Sequence, residues 1–384
     1  MIRRLFSNKE IRSRLNILVL LTVLLGLLIY LFLLLNRPPR PVSPVRVKGI
    51  THLFSVYGAG REQKELFYHP DGVATDKNGK IYVTDSGNHR VMVFNNRGKF
   101  LFKFGKKGFG KGELTFPLGI AVAPNGNIYV TSMVASRLSI FDPQGKLIKE
   151  VIVDRPIRPF IAGKQVYIAT AGQIWVTNLK GEALKVWGTR GRGPRQFQLP
   201  NGIAVSKDGT IYVSDTQNDR LQALDKKGNL LWIKGEPPTS LNDPERLFGL
   251  GMGLSLDEKK GRIYVVDAFH HTLRVFDKKG KPLAELGKRG TGDGAFEYPS
   301  TIASLGGNTF VVADKFNNRI QAVIVNLPGE RPPMIPQARI IPRWLGAALA
   351  LAALLLIGWL LRRYLLRLIV LRRTAKPDEK PEGA

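Results

Sequence analysis

Along the middle of the chain, apolar and polar residues alternate in short runs, and the same run keeps returning. Residues 81–94 read IYVTDSGNHRVMVF and residues 128–141 read IYVTSMVASRLSIF. A period of two puts successive side chains on opposite faces of a strand, so each run predicts two strands joined by a short polar turn. Further copies begin at Val166, Ile211, Ile263 and Phe310, at spacings of 47, 38, 45, 52 and 47 residues. Repeats of about 40–50 residues with several strands each indicate small sheets that bury both faces only by stacking on their neighbours.

Each period holds four strand signals. HPDGVATD, FPLGIAVA and LPNGIAVS supply an innermost strand entered through proline, and the IYV phrase and its partner supply the second and third. FLFKFG, ALKVWG, LLWIKG and PLAELG supply an outermost strand stopped by glycine, while DKNGK, NNRGK and DKKGN make the tight connections. The last copy lacks an outer strand, but HLFSVYG at 52–58 matches that pattern ahead of the first blade. An N-terminal strand that completes the last sheet removes an exposed edge and puts residue 51 beside residue 325. The expected fold is therefore all-β, a six-bladed β-propeller over residues 51–325.

Two stretches follow another rule. From Ile17 to Leu35 the chain is apolar except for Thr22, and nineteen helical residues reach about 29 Å, enough to cross a bilayer core. Residues 344–361, WLGAALALAALLLIGWLL, form a second such run with Trp344 and Trp359 near its edges. A cleaved leader would have a shorter apolar region and a small-residue cleavage site, whereas Leu35 runs into Asn36, Arg37, Pro38 and Pro39. The expected organisation is a basic tail at 1–16, a transmembrane helix at 17–35 and a Pro-rich linker at 36–50. After the propeller come a Pro-rich linker at 326–343, a transmembrane helix at 344–361 and a basic tail at 362–384. Arg362, Arg363, Arg367, Arg372 and Arg373 beyond the second run set the orientation: both termini cytoplasmic, the propeller outside the cytoplasm.

The pattern F..P.GIAV...G.IYV.D..N.R...F...G resembles the NHL repeat, with NHR at Asn88–Arg90, NDR at Asn218–Arg220 and NNR at Asn317–Arg319 at its name-giving turn. The likeness covers residues 51–325, although IYVTD is also similar to the YWTD repeat of receptor propellers. Copy three departs from the pattern, lacking both the Asp and the Asn-x-Arg. Tethered NHL propellers resemble the outward sensor domains of some bacterial receptor kinases, but no kinase motif is present. Amidating-lyase propellers resemble the chain in fold and hold zinc through His after the inner-strand proline. The residues at those places here are Asp71, Leu118, Asn201 and Ser300, which are expected to ring the channel mouth. Asp71 and Asn201 also resemble ligands of lactonase-type propellers that bind a divalent metal, but they lie in blades one and four, and no inner strand begins with Glu. A metal-dependent hydrolase is thus the minority reading. No catalytic residue, metal site or cofactor is assigned.

Composition narrows the partner rather than the fold. The 384 residues carry 58 Lys and Arg against 30 Asp and Glu, a net charge of +28, and no cysteine. Such an excess favours anionic partners. The repeated Asp85, Asp215, Asp267 and Asp314 recur too regularly for a catalytic pair and are expected to satisfy local donors or Arg90, Arg220 and Arg319. Inter-blade connections and second-to-third turns share the face that looks away from the linkers. There the expected binding surface comprises Lys106, Lys107, Phe109, Lys111, Arg190, Arg192, Arg195, Phe269, His270, Lys288, Arg289 and Phe316, and it would take a protein or an anionic polymer. On the opposite face Lys226, Lys227, Lys278 and Lys279 are expected to meet anionic lipid headgroups. Nucleic acid is a partner only if the ring lies in the cytoplasm.

Overall fold

The computed structural model describes residues 46–236 and 247–330, with isolated positions 25, 26, 358, 362 and 363. The chain divides into two compact units, residues 42–332 and the terminal segments 1–41 with 333–384, and the described residues lie almost entirely in the first. The helices expected at 17–35 and 344–361, both tails and most of both linkers fall outside the described residues. Among the described residues, no helix is long and apolar enough to cross a membrane.

The first unit is a ring of six sheets. The innermost strands are Pro70–Thr75, Pro117–Val122, Pro156–Ala162, Gly202–Val205, Gly251–Asp257 and Pro299–Gly306. In blades one to five, three further antiparallel strands follow each of them outward in chain order. Blade six closes with the N-terminal strand Ile50–Val56, which pairs antiparallel with Arg319–Val325. The closing strand begins two residues earlier than the expected 52–58. Ile50 therefore pairs with Val325, and Thr51 pairs with Ile324. A two-residue strand, Arg46–Val47, turns back on it at Lys48–Gly49 and makes this blade five-stranded, which the sequence pattern did not signal.

The core lies between blades. Six hydrophobic clusters each draw residues from two consecutive sheets, so each blade is sandwiched on both faces as a repeat that cannot stand alone must be. The F..P element explains part of this. Phe67, Phe197 and Phe296, with Leu114 at the same place in blade two, are buried ahead of the inner strand and plug each cluster from one end. Outer strands such as Phe100–Phe104 alternate between partly covered and exposed residues, as half-solvated strands do.

The first-to-second and third-to-fourth turns share one face, where Ile50 and Val325 also stand side by side; it is called the exit face. The inter-blade connections and the second-to-third turns share the other, the loop face.

Candidate functional site

At the loop face the Asp and Asn-x-Arg of the repeat act as one unit. The second strand ends at Asp215, a short 3-10 turn follows at Thr216–Asn218, and Asp219 takes a left-handed φ of 53° that lets Arg220 start the third strand. The buried Asp215 carboxylate accepts from the Gln198 backbone N–H at 2.7 Å, from Asn218 at 2.8 Å and from Arg220 Nε at 3.0 Å. The other Arg220 nitrogens donate to the carbonyls of Arg192, Gly193 and Gln196 at 2.7–2.9 Å. The aspartate thus fixes the arginine, and the arginine fixes the loop that leads to its own inner strand. Asp85 with Arg90 and Asp314 with Arg319 repeat the arrangement, at Asp–Nε distances of 2.7 and 2.8 Å. Burial pushes Asp85, Asp215 and Asp314 above the usual carboxylate range against the pull of these donors. In blade five His270 takes the asparagine's place beside Asp267 at 2.8 Å, and Arg274, two residues later than the pattern, supplies the guanidinium at 3.2 Å.

The residue in the left-handed position then links to the next blade. His89 Nδ1 accepts from the Phe116 backbone N–H and His271 Nδ1 from that of Tyr298, both at 3.1 Å. Asn318 does the same for His69 at 2.8 Å and Asp219 for Phe248 at 3.0 Å. Burial lowers both histidines from their ordinary value, in keeping with a ring nitrogen that must stay unprotonated to accept.

On the axis, three of the four residues expected at the channel mouth, Asp71, Leu118 and Asn201, converge on one that sequence reasoning missed, and the fourth, Ser300, reaches Asp71. Arg158 reaches across the ring from blade three. Its Nη2 contacts Asp71 Oδ1 of blade one at 2.5 Å, its Nη1 donates to the Leu118 carbonyl of blade two at 2.7 Å, and its Nε donates to the Asn201 carbonyl of blade four at 3.2 Å. Lys315 of blade six holds the other Asp71 oxygen at 2.6 Å, and Ser300 Oγ donates to the Asp71 carbonyl at 2.7 Å. Asp71 is buried, which alone would raise it, but the two cations outweigh that and hold its carboxyl below the usual range. Arg158 follows its strand's proline by two residues, where the equivalent positions are Gly72, Gly119 and Gly202. A Cβ at Gly72 would stand 2.3 Å from the Leu118 carbonyl oxygen and 3.1 Å from Arg158 Nη1. The glycines therefore let neighbouring inner strands approach backbone to backbone and leave room for the guanidinium. An arginine stands against one Asp71 oxygen and a lysine against the other, so this carboxylate already faces two cations. Among the described residues no cluster of three His, Cys, Asp or Glu could hold a metal.

Around this plug the loop face carries aromatic rings. Tyr68 stacks on His69 at 4.3 Å, His69 meets Phe316 at 5.5 Å, Phe316 stacks on Tyr298 at 4.5 Å, and Tyr298 meets Phe269 at 5.7 Å. Tyr68, Phe269 and Phe316 are each about half exposed, and Lys315 Nζ lies 6.0 Å from the centre of the Tyr298 ring. The expectation named Phe269 and Phe316. Tyr68, His69 and Tyr298, which join them into an arc, were missed, although all three stand just before an inner-strand proline. His270 is exposed beside Phe269 but bound to Asp267.

The expected cations are exposed on three alternate inter-blade connections: Lys106, Lys107 and Lys111 with Phe109; Arg190, Arg192 and Arg195; and Lys288 with Arg289. Two are paired, Lys106 with Glu113 at 3.1 Å and Arg289 with Glu297 at 3.0 Å. On the exit face Lys226, Lys227 and Lys279 are exposed, whereas Lys278 is tied to Glu258 at 2.7 Å.

Comparison with known proteins agrees with the ring. The NHL repeat model matches residues 67–94 and 197–224, in blades one and four. The chain is 31% identical over 144 residues to NHL repeat-containing protein 3 of Mus musculus, covering 33% of this chain and 40% of that protein. It is 26% identical over 187 residues to Protein brain tumor of Drosophila melanogaster, covering 48% of this chain and 14% of that one. The chain thus spans less than half of either relative. Among solved structures, a protein from Bacteroides thetaiotaomicron superposes with a TM-score of 0.55 at 17% identity, covering 70% of this chain and 72% of that one, a likeness of fold alone.

Proposed function

We propose that this chain is a membrane-tethered binding propeller and not an enzyme. In this reading the runs at 17–35 and 344–361 span the membrane, both tails are cytoplasmic, and the ring stands outside the cytoplasm with its exit face toward the bilayer. Lys226, Lys227 and Lys279 then approach anionic headgroups, with Lys278 contributing less because Glu258 already neutralises it. The loop face looks outward and takes a protein or an anionic polymer. One observation carries the reading: the half-exposed arc of Tyr68, Phe316 and Phe269 beside Lys315, with three cationic connections spaced around the ring. Large rings held rigid by their neighbours and rimmed with cations are what binding hot spots are made of.

Affinity capture of the full chain from its own membranes, compared with the Phe269→Ala/Phe316→Ala variant, tests this. Truncating two hot-spot rings should cost about 2–4 kcal/mol and so lose partner recovery by more than tenfold. Equal recovery by both proteins would sink the loop-face assignment. An impermeant thiol reagent should label Val134→Cys, at an exposed position in the loop-face turn of blade two, on intact cells; protection until lysis would put the ring in the cytoplasm and turn the reading toward nucleic acid.

A further inference from the structure

The channel beneath the Arg158 plug is a built cavity, separate from the loop face. It measures about 340 Å³, at the small end of the range of roughly 300–1,000 Å³ for ligand pockets. Its wall is made from all six inner strands, between the layer of Arg158, Asn201 and Thr301 and the exit-face layer of Thr75, Val205 and Ser304. Most of the wall between those layers is apolar. Polar side chains stand at both ends, Arg158, Asn201 and Thr301 at the inner one and Thr75, Ser304 and Glu258 toward the exit face, where Glu258 is paired with Lys278. Arg158 is 5% exposed, a charge nine-tenths buried, and among its described partners only Asp71 is anionic. Asp71 is shared with Lys315, so one carboxylate faces two cations and the axis keeps one positive charge in excess.

A largely apolar tube that ends on a surplus cation is complementary to one kind of molecule. We propose that the channel binds a small amphiphile with a carboxylate head and an unbranched apolar tail, head inward toward Arg158, tail toward the exit face. The carboxylate balances the excess charge through a guanidinium N–H not spent on Asp71, Leu118 or Asn201. The tail covers wall that water wets poorly. Entry is from the exit face, because the Arg158 layer bars the other end. The inference stands whether or not the loop face binds a partner.

The test is calorimetric titration of octanoate into the full chain in phosphatidylcholine nanodiscs, each isotherm subtracted by that of the same discs carrying Ser255→Trp, which fills the tube. Ala303→Phe serves as a second blocking variant should the first fail to fold. Wild type should show one saturable site per chain that both blocked variants lack. Octanol, of equal length but uncharged, should bind about tenfold more weakly than octanoate. Identical isotherms for wild type and the blocked variants, or octanol binding as tightly as octanoate, would overturn the proposal.

Discussion

Arg158→Met is the substitution that presses hardest on the axial lock. It removes the contact to Asp71 at 2.5 Å and the hydrogen bonds to the carbonyls of Leu118 and Asn201 at 2.7 and 3.2 Å, while keeping an apolar stem of similar reach. Deleting one partner of a buried ion pair costs about 3–5 kcal/mol, chiefly because the other charge is stranded. Lys315 at 2.6 Å remains on Asp71, so the lower end, about 3 kcal/mol, is expected. At about 2.1 cal/mol/K per residue, a ring of about 280 residues unfolds with an entropy near 0.6 kcal/mol/K, so the midpoint should fall by about 5 °C. The assay is thermal unfolding of the full chain followed by circular dichroism. Adding Asp71→Asn to the variant should give no recovery, since Asp71 and Lys315 balance once Arg158 is gone and the second change leaves Lys315 without its anion. The dependence on pH has a definite sign. The folded carboxyl lies below its ordinary value, so its stabilisation is complete above the unfolded value of about 3.9 and is lost as pH falls through the folded value. The gap between wild type and Arg158→Met should therefore hold steady above about pH 4 and narrow below it. A midpoint shift under about 1 °C, or a gap that widens in acid, would refute the reasoning.

Two further outcomes follow from the ring. Removing residues 46–56 strips Arg319–Val325 of its partner and exposes the sites of Ile50 and Val56, each worth about 1.5–3 kcal/mol of burial, so the truncated chain should self-associate through the open edge in size-exclusion chromatography; a monomer with an unchanged melt would contradict closure by this strand. His271 accepts the Tyr298 N–H only when neutral and its folded value is lowered, so its contribution is complete above the ordinary value of 6.5 and drains away as pH falls below it. Asn318 makes the same link without titrating, so His271→Asn should lose less stability than wild type between about pH 7 and pH 5, and equal losses would show the link to be idle.

The ring was readable because its signals are local and repeated: alternation within strands, proline at inner-strand starts, Asp or Asn beside Gly at turns. Closure was readable too, since a strand pattern without a blade and a blade without a strand stand at opposite ends of the same repeat. Its register differs by one residue, with Ile50 rather than Thr51 opposite Val325, because Ile50, read as linker, pairs as strand and is held by the turn at Lys48–Gly49. Arg158 was missed for another reason. Copy three looked like the weakest repeat, and its departure at the Asp and Asn-x-Arg positions drew attention from a second departure, an arginine where Gly72, Gly119 and Gly202 stand. Only alignment of the inner strands exposes it, and only the ring brings it to Asp71, 87 positions away. The aromatic arc was half legible for the same reason. Phe269 and Phe316 share a turn position, whereas Tyr68 and Tyr298 belong to a different element, and their stacking depends on how neighbouring blades meet.

The assignment of partner binding to the loop face is tested most directly by photocrosslinking from opposite sides of the ring in living cells, with benzoylphenylalanine placed at Phe316 or, in a second strain, at Lys226. The account predicts a discrete adduct from position 316 that disappears when Phe269 is also changed to alanine, and no such adduct from position 226. The same adduct from both positions, or one from position 226 alone, would contradict it.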